Sequence, residues 1–228
     1  MKINHIYTGD CLEIMKTFPD KSVNCVITSP PYNLGNNHHT GNNRHNPYTD
    51  DLPEEKYQIE QGLVLDELYR IVKDEGSIFY NHKNRIKDGT SITPYNWLLK
   101  TKWIIKQEMV WFNGSQNFDK IRFYPMTERI YWLVKDKKTK LVNVINHHDL
   151  FRWKPEGTSK KHTRSFPEKL VSDLLVCLTK AEIILDPYMG SGTVCVVAKK
   201  LGRKYIGIEI NPDYVKIAKQ RLAKEIEG

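Results

Sequence analysis

The sequence predicts an α/β domain built on a doubly wound, mostly parallel sheet. Short apolar runs alternate with segments of helical periodicity along the chain, the pattern of a sheet covered on both faces. Two of those runs close in unusual turns, Ser29-Pro30-Pro31-Tyr32 and, about 150 residues later, Asp186-Pro-Tyr-Met-Gly-Ser-Gly-Thr193, both placed where open α/β sheets bind ligands. At 228 residues the chain can bury a sizeable core as one domain without disulfides or metal.

Candidate strands are residues 3–7, 23–28, 77–81, 108–112, 129–134, 183–185 and 205–209, seven in all. A helix is expected from Pro53 to about Val72. Residues 35–52 interrupt the pattern: the stretch 35–47 is rich in Asn, His and Gly with almost no apolar side chain, so it cannot pack a core. It is expected to be a mobile loop, serving either as a lid over the preceding Tyr32 and Asn33 or as a plain disordered connection.

Residues 135–164 are a second interruption, with Lys135, Lys137, Lys138, Lys140, Arg152, Lys154, Lys160, Lys161 and Arg164 set against Asp136, Asp149 and Glu156. They are expected to form a short insertion bearing the main basic surface. Beyond it, Ser165, Pro167 and Glu168 predict a capping box with proline at the first helical position, and Leu170, Val171, Leu174, Leu175 and Leu178 share one face. A helix from about Gly192 stops at the glycine cap Gly202. Asn211 and Pro212 open the last helix, which packs Tyr214, Ile217, Ala218 and Leu222 on the sheet.

A formal charge of +8 and a pI near 9.1 favour nucleic acid as partner over a merely well-solvated surface. Cys11, Cys25, Cys177 and Cys195 sit singly in apolar stretches without a CxxC pair, as reduced core residues of a cytoplasmic protein do. The histidines lack a ligand frame, so no metal site is expected. Neither a secretory leader nor a membrane-spanning apolar run is expected.

The second turn suits a cofactor. Gly190 and Gly192 allow close backbone approach, and the helix that follows adds free N–H groups and a positive dipole end. Glu209 ends the next strand about 17 residues on, where a carboxylate accepts hydrogen bonds from ribose hydroxyls; a solvated strand-end acid is the plainer reading. Neither GxxxxGK[ST] nor a full GxGxxG is present, which points to a cofactor without a pyrophosphate.

The first turn suits a flat base bearing an exocyclic NH2. Two prolines stiffen an arc of acceptors that lacks N–H donors, Ser29 adds an oxygen, and the Tyr32 ring offers a stacking face. A surface turn that merely stops the strand is the structural alternative.

Together the motifs resemble those of the S-adenosylmethionine-dependent DNA amino-methyltransferases that modify cytosine N4 or adenine N6. Ser29-Pro30-Pro31-Tyr32 is similar to the family's catalytic motif and the 186–193 stretch to its cofactor motif, and the resemblance extends over nearly the whole chain. It implies catalytic roles for Ser29, Pro30, Pro31 and Tyr32. It also places Asp186, Pro187, Gly190, Ser191, Gly192 and Thr193 at S-adenosylmethionine, with Asp10 near its adenine, Glu209 on its ribose and Phe166 beside its methionine part. With the catalytic motif first, the chain resembles the permuted β class, which implies a circularly permuted Rossmann-like methyltransferase of seven strands in the order 3-2-1-4-5-7-6. Tyr188 stands where phenylalanine is commoner, and Thr163 follows His162 where proline is usual.

The resemblance implies double-stranded DNA as partner, touched by Asn33, Lys83, Arg85, Lys137, Lys138, Arg152, Lys154, Lys160 and Lys161. The short basic segment leaves room for a homodimer, and a cognate restriction endonuclease is a further partner to consider. The implied location is cytoplasmic, on the nucleoid when acting on DNA. Carbon-5 chemistry needs a cysteine, typically after proline, and no proline here precedes one. Serine at the first motif position leans to cytosine N4, while the Asn33 after Tyr32 also occurs among adenine enzymes, so adenine N6 is the alternative. Rival readings are a non-catalytic DNA-binding module and a methyltransferase acting on RNA or protein.

Overall fold

The computed structural model describes residues 1–35, 50–114, 121–144, 147–154, 166–178 and 182–225. In chain order the elements are β1 (His5–Thr8), α1 (Cys11–Met15), β2 (Val23–Thr28), α2 (Glu54–Ile71), β3 (Val72–His82), β4 (Arg85–Lys87), β5 (Thr90–Ile92) and α3 (Tyr95–Leu98). There follow β6 (Ile104–Phe112), β7 (Thr127–Val134), β8 (Leu150–Phe151), α4 (Glu168–Val176), β9 (Ile183–Asp186), α5 (Thr193–Lys200), β10 (Lys204–Glu209) and α6 (Pro212–Lys224).

One sheet holds eight strands in the order β1-β10-β9-β2-β3-β7-β6-β8. β7 runs antiparallel to both β3 and β6, and every other neighbouring pair is parallel. The expected count of seven is therefore corrected to eight. The additional strand is β8, whose two residues pair with Val110 and Trp111 at the sheet edge. Two residues carry no readable period, so tertiary pairing alone makes them a strand.

Alternation along each strand divides the core in two. Val26, Ile78, Leu133 and Leu185 face one way, into a cluster with Met15, Leu65, Leu68 and Ile71 from α1 and α2. Cys25, Ile27, Phe79, Trp132 and Ile184 face the other way, against Leu170, Leu174, Val194 and Val197 from α4 and α5. A smaller cluster joins α6 to α5 through Val215, Ala218, Leu222 and Val196. All four cysteines are buried and free.

Several boundaries differ from the sequence expectation for identifiable reasons. α2 passes into β3 without a loop, because its C-cap Val72 is already extended at ψ 140°. In α4 the N-cap is Pro167, which forms no side-chain capping bond, and Ser165 lies outside the described residues; proline thus occupies the cap and not the first helical position. Asn211 caps α6 as expected, accepting from the Asp213 amide at 2.9 Å. The β4–β5 hairpin turns on Asp88 and Gly89, both at positive φ (50° and 74°). That Asp-Gly pair is a hairpin signal present in the sequence and not among its expected elements.

Candidate active site at the carboxyl edge of the sheet

β2 and β9 are parallel neighbours in register, Cys25 opposite Ile184 and Val26 opposite Leu185, so the 29–32 and 186–193 turns leave the same sheet edge side by side. A buried hydrogen bond joins them: Thr28 Oγ1 donates to Asp186 Oδ1 at 2.8 Å. The same oxygen accepts from the Tyr188 amide at 3.1 Å. Burial pushes the Asp186 carboxyl up to about 7, against the lowering effect of these two bonds. Asp186 is therefore first a joint between the two turns.

Side chains from three other strand ends converge on the first turn. Ser29 Oγ lies 2.7 Å from the Tyr32 hydroxyl, which donates to Glu128 Oε2 at 2.8 Å. Asn81, the penultimate residue of β3, donates to the same Glu128 oxygen at 2.7 Å and also to Tyr32 Oη. Asn113, just past β6, donates to Glu128 Oε1 at 3.0 Å. Glu128 is buried at the opening of β7, where antiparallel pairing returns the chain to this edge. Burial, then the Glu128 charge, push the Tyr32 phenol well above its ordinary range, so it stays protonated.

The far side of the turn is held by Tyr57 and His82. The Tyr57 hydroxyl donates to the Pro31 carbonyl at 2.7 Å and lies 2.7 Å from His82 Nε2. His82 Nδ1 donates to the Lys83 carbonyl at 2.7 Å, and burial lowers the imidazole to about 3, keeping it neutral. The Tyr32 ring packs on His82 with centroids 4.7 Å apart.

The glycine turn is organised by backbone. Gly190 has φ 54° and open space where a Cβ would project, whereas a Cβ on Gly192 (φ 86°) would meet the Ala218 Cβ at 2.7 Å. Gly190 thus leaves room for a ligand, and Gly192 allows α6 to approach. Glu209 accepts from the Gly190 amide at 2.8 Å and from the Asn211 amide at 2.8 Å, and burial raises its pKa against these bonds. Asp10, at the end of the adjacent β1, is exposed and caps α1 through the Glu13 amide at 3.0 Å. Pro187 is buried. Ser191 and Thr193 are gripped by Arg221, whose Nη1 reaches the Ser191 carbonyl at 3.0 Å and Thr193 Oγ1 at 2.9 Å. Phe166 is buried against Trp111 at the head of α4.

A family model described as DNA methylase, of the N6/N4 methyltransferase type, matches residues 23–220. This chain belongs to the N6/N4 DNA methylase family. It is 30% identical over 251 residues to the type II methyltransferase M.HinfI of Haemophilus influenzae, covering 96% of this chain and 68% of that one. Among solved structures, the cytosine-N4-specific PvuII DNA methyltransferase superposes with a TM-score of 0.78 at 23% identity, over 95% of this chain and 85% of the other. The M1.HpyAVI complex with SAM gives 0.68 at 22% identity, over 96% and 98%.

The methylase distributes its expected DNA contacts unevenly. Arg85 is withdrawn from any such surface: it is buried, paired with both oxygens of Glu54 at 2.7 Å and lodged over the Tyr57 ring. Asn33 is likewise engaged, its amide bonding both the N–H and the carbonyl of Leu52 while Asp50 accepts its backbone amide. These bonds clasp the two ends of the 35–52 loop, whose residues 36–49 lie outside the described residues. Lys83 is half-buried beside the site.

The basic segment divides in two. Lys137 and Lys138 are exposed but follow Val134, which pairs with Ser77 and Ile104 at the opposite sheet edge. The eight residues of β7 put them roughly 25 Å from the site edge at about 3.3 Å per residue. β8 then runs parallel to β6, returning exposed Arg152 and Lys154 to the site edge. Lys160 and Lys161 lie outside the described residues. Reading the sequence did not bring out Thr28, Asn81, Asn113, Glu128, Tyr57 or Arg221. The available signal was weak: polar Asn81 and His82 close one apolar run, and Glu128 opens another.

Proposed function

We propose that this methylase transfers the methyl group of S-adenosylmethionine to the exocyclic amino group of a DNA base flipped out of the duplex, cytosine N4 in preference to adenine N6. The observation that carries this reading is the Thr28–Asp186 hydrogen bond, which fixes an acceptor-rich turn beside a glycine turn on one sheet edge. The second turn suits this cofactor: Gly190 faces open space, Glu209 carries acceptor oxygens for ribose hydroxyls, and Asp10 stands exposed on the next strand end. Phe166, buried against Trp111, is the residue proposed to lie beside the methionine part of the cofactor. When bound there, the cofactor supplies an electrophilic methyl group.

The chain's task is to make a poor nucleophile act. An aromatic amino nitrogen has its lone pair delocalised into the ring. Ser29 Oγ and the Pro30 carbonyl accept its two hydrogens and favour the pyramidal geometry that frees the pair. Tyr32 stacks on the base with the ring face not packed on His82. No covalent enzyme intermediate is needed. Ser29, together with the likeness to a cytosine-N4-specific enzyme, supports the choice of cytosine. Asn33, a residue that also occurs among adenine enzymes, is bound to Leu52.

Arg152 and Lys154 are the cations proposed to meet DNA phosphates near the flipped base. Similarity to type II methyltransferases supports a restriction-modification setting, with a cognate endonuclease as a separate partner and a homodimer as the form that enlarges a short recognition surface. Nucleoside mass spectrometry of DNA incubated with the protein and S-adenosylmethionine tests the reading. N4-methylcytosine is expected. N6-methyladenine would move the base assignment, and unmodified DNA would overturn the activity.

A further inference from the structure

Hydrogen accounting around Glu128 fixes directions that distances alone leave open. A carboxylate only accepts, so the Tyr32 hydrogen 2.8 Å away points to Glu128. Its single hydrogen used, Tyr32 Oη must accept in its 2.7 Å contact with Ser29, which makes Ser29 the donor there. Asn81 Nδ2 also donates to Glu128 and to Tyr32. Turning that amide over would set its oxygen against the Glu128 carboxylate, so Oδ1 instead stays buried without a hydrogen-bond partner among the described residues. The Ser29 and Tyr32 hydrogens thus run in series toward Glu128, while the two Asn81 amide hydrogens are shared among Glu128, Tyr32 Oη and, at 3.3 Å, Ser29 Oγ. Half-exposed Ser29 Oγ, which accepts one long bond from Asn81, keeps a lone pair for whatever enters.

We infer that Glu128, acting through Tyr32, makes Ser29 Oγ an acceptor for the base amino group and takes up the proton which that nitrogen loses on methylation. This rests on the function proposed above. The nitrogen lone pair forms the N–C bond while the sulfur keeps the electron pair of the broken S–C bond, leaving the nitrogen positively charged. Its N–H proton passes to Ser29 Oγ, the Ser29 hydrogen to Tyr32 Oη, and the Tyr32 hydrogen to Glu128 Oε2. The nitrogen regains its lone pair and Glu128 ends as a carboxylic acid. Tyr32 conducts without ionising, since each hydrogen it gives up is replaced. Glu128 is a positioning and relay residue; Ser29 is the group that touches the substrate.

The test uses Y32F, which keeps the ring and removes the relay oxygen, together with E128Q and the double variant. Without cofactor, the melting temperature of the double variant should fall by clearly less than the sum of the two single losses, because each change breaks the same chain. With cofactor and DNA, each single variant should slow single-turnover methylation on the order of a hundredfold, the lower range for a lost proton acceptor. Cofactor affinity should be unchanged. The slowed rates should climb with pH more steeply than wild type, because solvent base then takes the proton.

Wild-type rates in Y32F overturn the inference even if E128Q fails to fold. So do additive melting losses, and so does a pH profile parallel to that of the wild type. A wild-type protein that leaves DNA unmodified would instead overturn the underlying function, which separates the two failures.

Discussion

The two turns of the site are built in opposite ways. The 186–193 turn is held by its own neighbourhood: Glu209, from the next strand of the same βαβ unit, binds the Gly190 amide, and Arg221 from the following helix grips Ser191 and Thr193. The 29–32 turn is held by Tyr57 from α2 and, from far along the chain, by Asn81 of β3 and Glu128 of β7, the latter braced by Asn113 just past β6. A backbone cradle needs glycines and one carboxylate. A catalytic arc needs a polar network drawn from several strand ends, and only the assembled sheet provides one.

Failures of the two turns should therefore look different. The largest effect is expected from Tyr32→Ala, which removes the stacking ring and the hydroxyl that links Ser29 to Glu128. Methylation should fall below detection while S-adenosylmethionine affinity, measured by calorimetry, stays near wild type. Equal loss of both would mean that the turns are one mechanical unit and do not fail separately.

Asp186, at the joint, should reveal itself through pH. Its folded-state pKa, about 7, lies above the ordinary carboxyl value, so between about pH 4 and 7 the folded state binds more protons than the unfolded state. Stability from this group is present below that window and is lost as pH rises through it. Asp186→Asn keeps an oxygen for Thr28 and Tyr188 but cannot ionise. The cofactor-free variant should match wild type near pH 4 and exceed it at pH 8 by at most about 4 kcal/mol in denaturant unfolding. A variant less stable than wild type at pH 8 would show that the ionised carboxylate is tolerated.

A smaller effect is expected at Glu209, where Ala should weaken cofactor binding by about 1–3 kcal/mol, the cost of leaving buried donors unpaired. Tyr32→Ala and Glu209→Ala would then separate chemistry from binding. An unchanged affinity in Glu209→Ala would reduce this carboxylate to a support for the Gly190 amide.

The same contrast explains what could be read from the sequence. The parallel core strands, the glycine turn, Glu209 and the capped last helix all announce themselves within about 30 residues of chain, the length of a βαβ unit. The motif 29–32 was legible as a motif, but its partners were not. Asn81 and Glu128 are separated from Ser29 by some of the longest sequence distances in the site, and each is an ordinary polar residue at a strand end. Charge was more misleading still. Arg85 reads as a surface cation and is a buried partner of Glu54, because neither its ion pair nor its stacking on Tyr57 leaves a periodic trace. Lys137 and Arg152 belong to one basic run in sequence, yet the strand between Glu128 and Val134 and the return through β8 assign them to opposite edges of the sheet.

That last division gives the finest test, because it sets two pairs of cations with the same formal charge against each other. If DNA lies across the carboxyl edge, Arg152 and Lys154 neutralise phosphates there while Lys137 and Lys138 stand roughly 25 Å away, well beyond the ~8 Å screening length at physiological salt. Changing Arg152 and Lys154 to Gln should reduce the slope of log affinity against log salt by about 2, close to 0.9 for each lost phosphate contact. The same change at Lys137 and Lys138 should leave the slope nearly unaltered, although both double variants lose the same net charge. Equal slopes in the two variants would mean that DNA responds to the overall charge and not to the edge. A larger change at Lys137 and Lys138 would place the duplex on the opposite edge and detach DNA binding from the site described above.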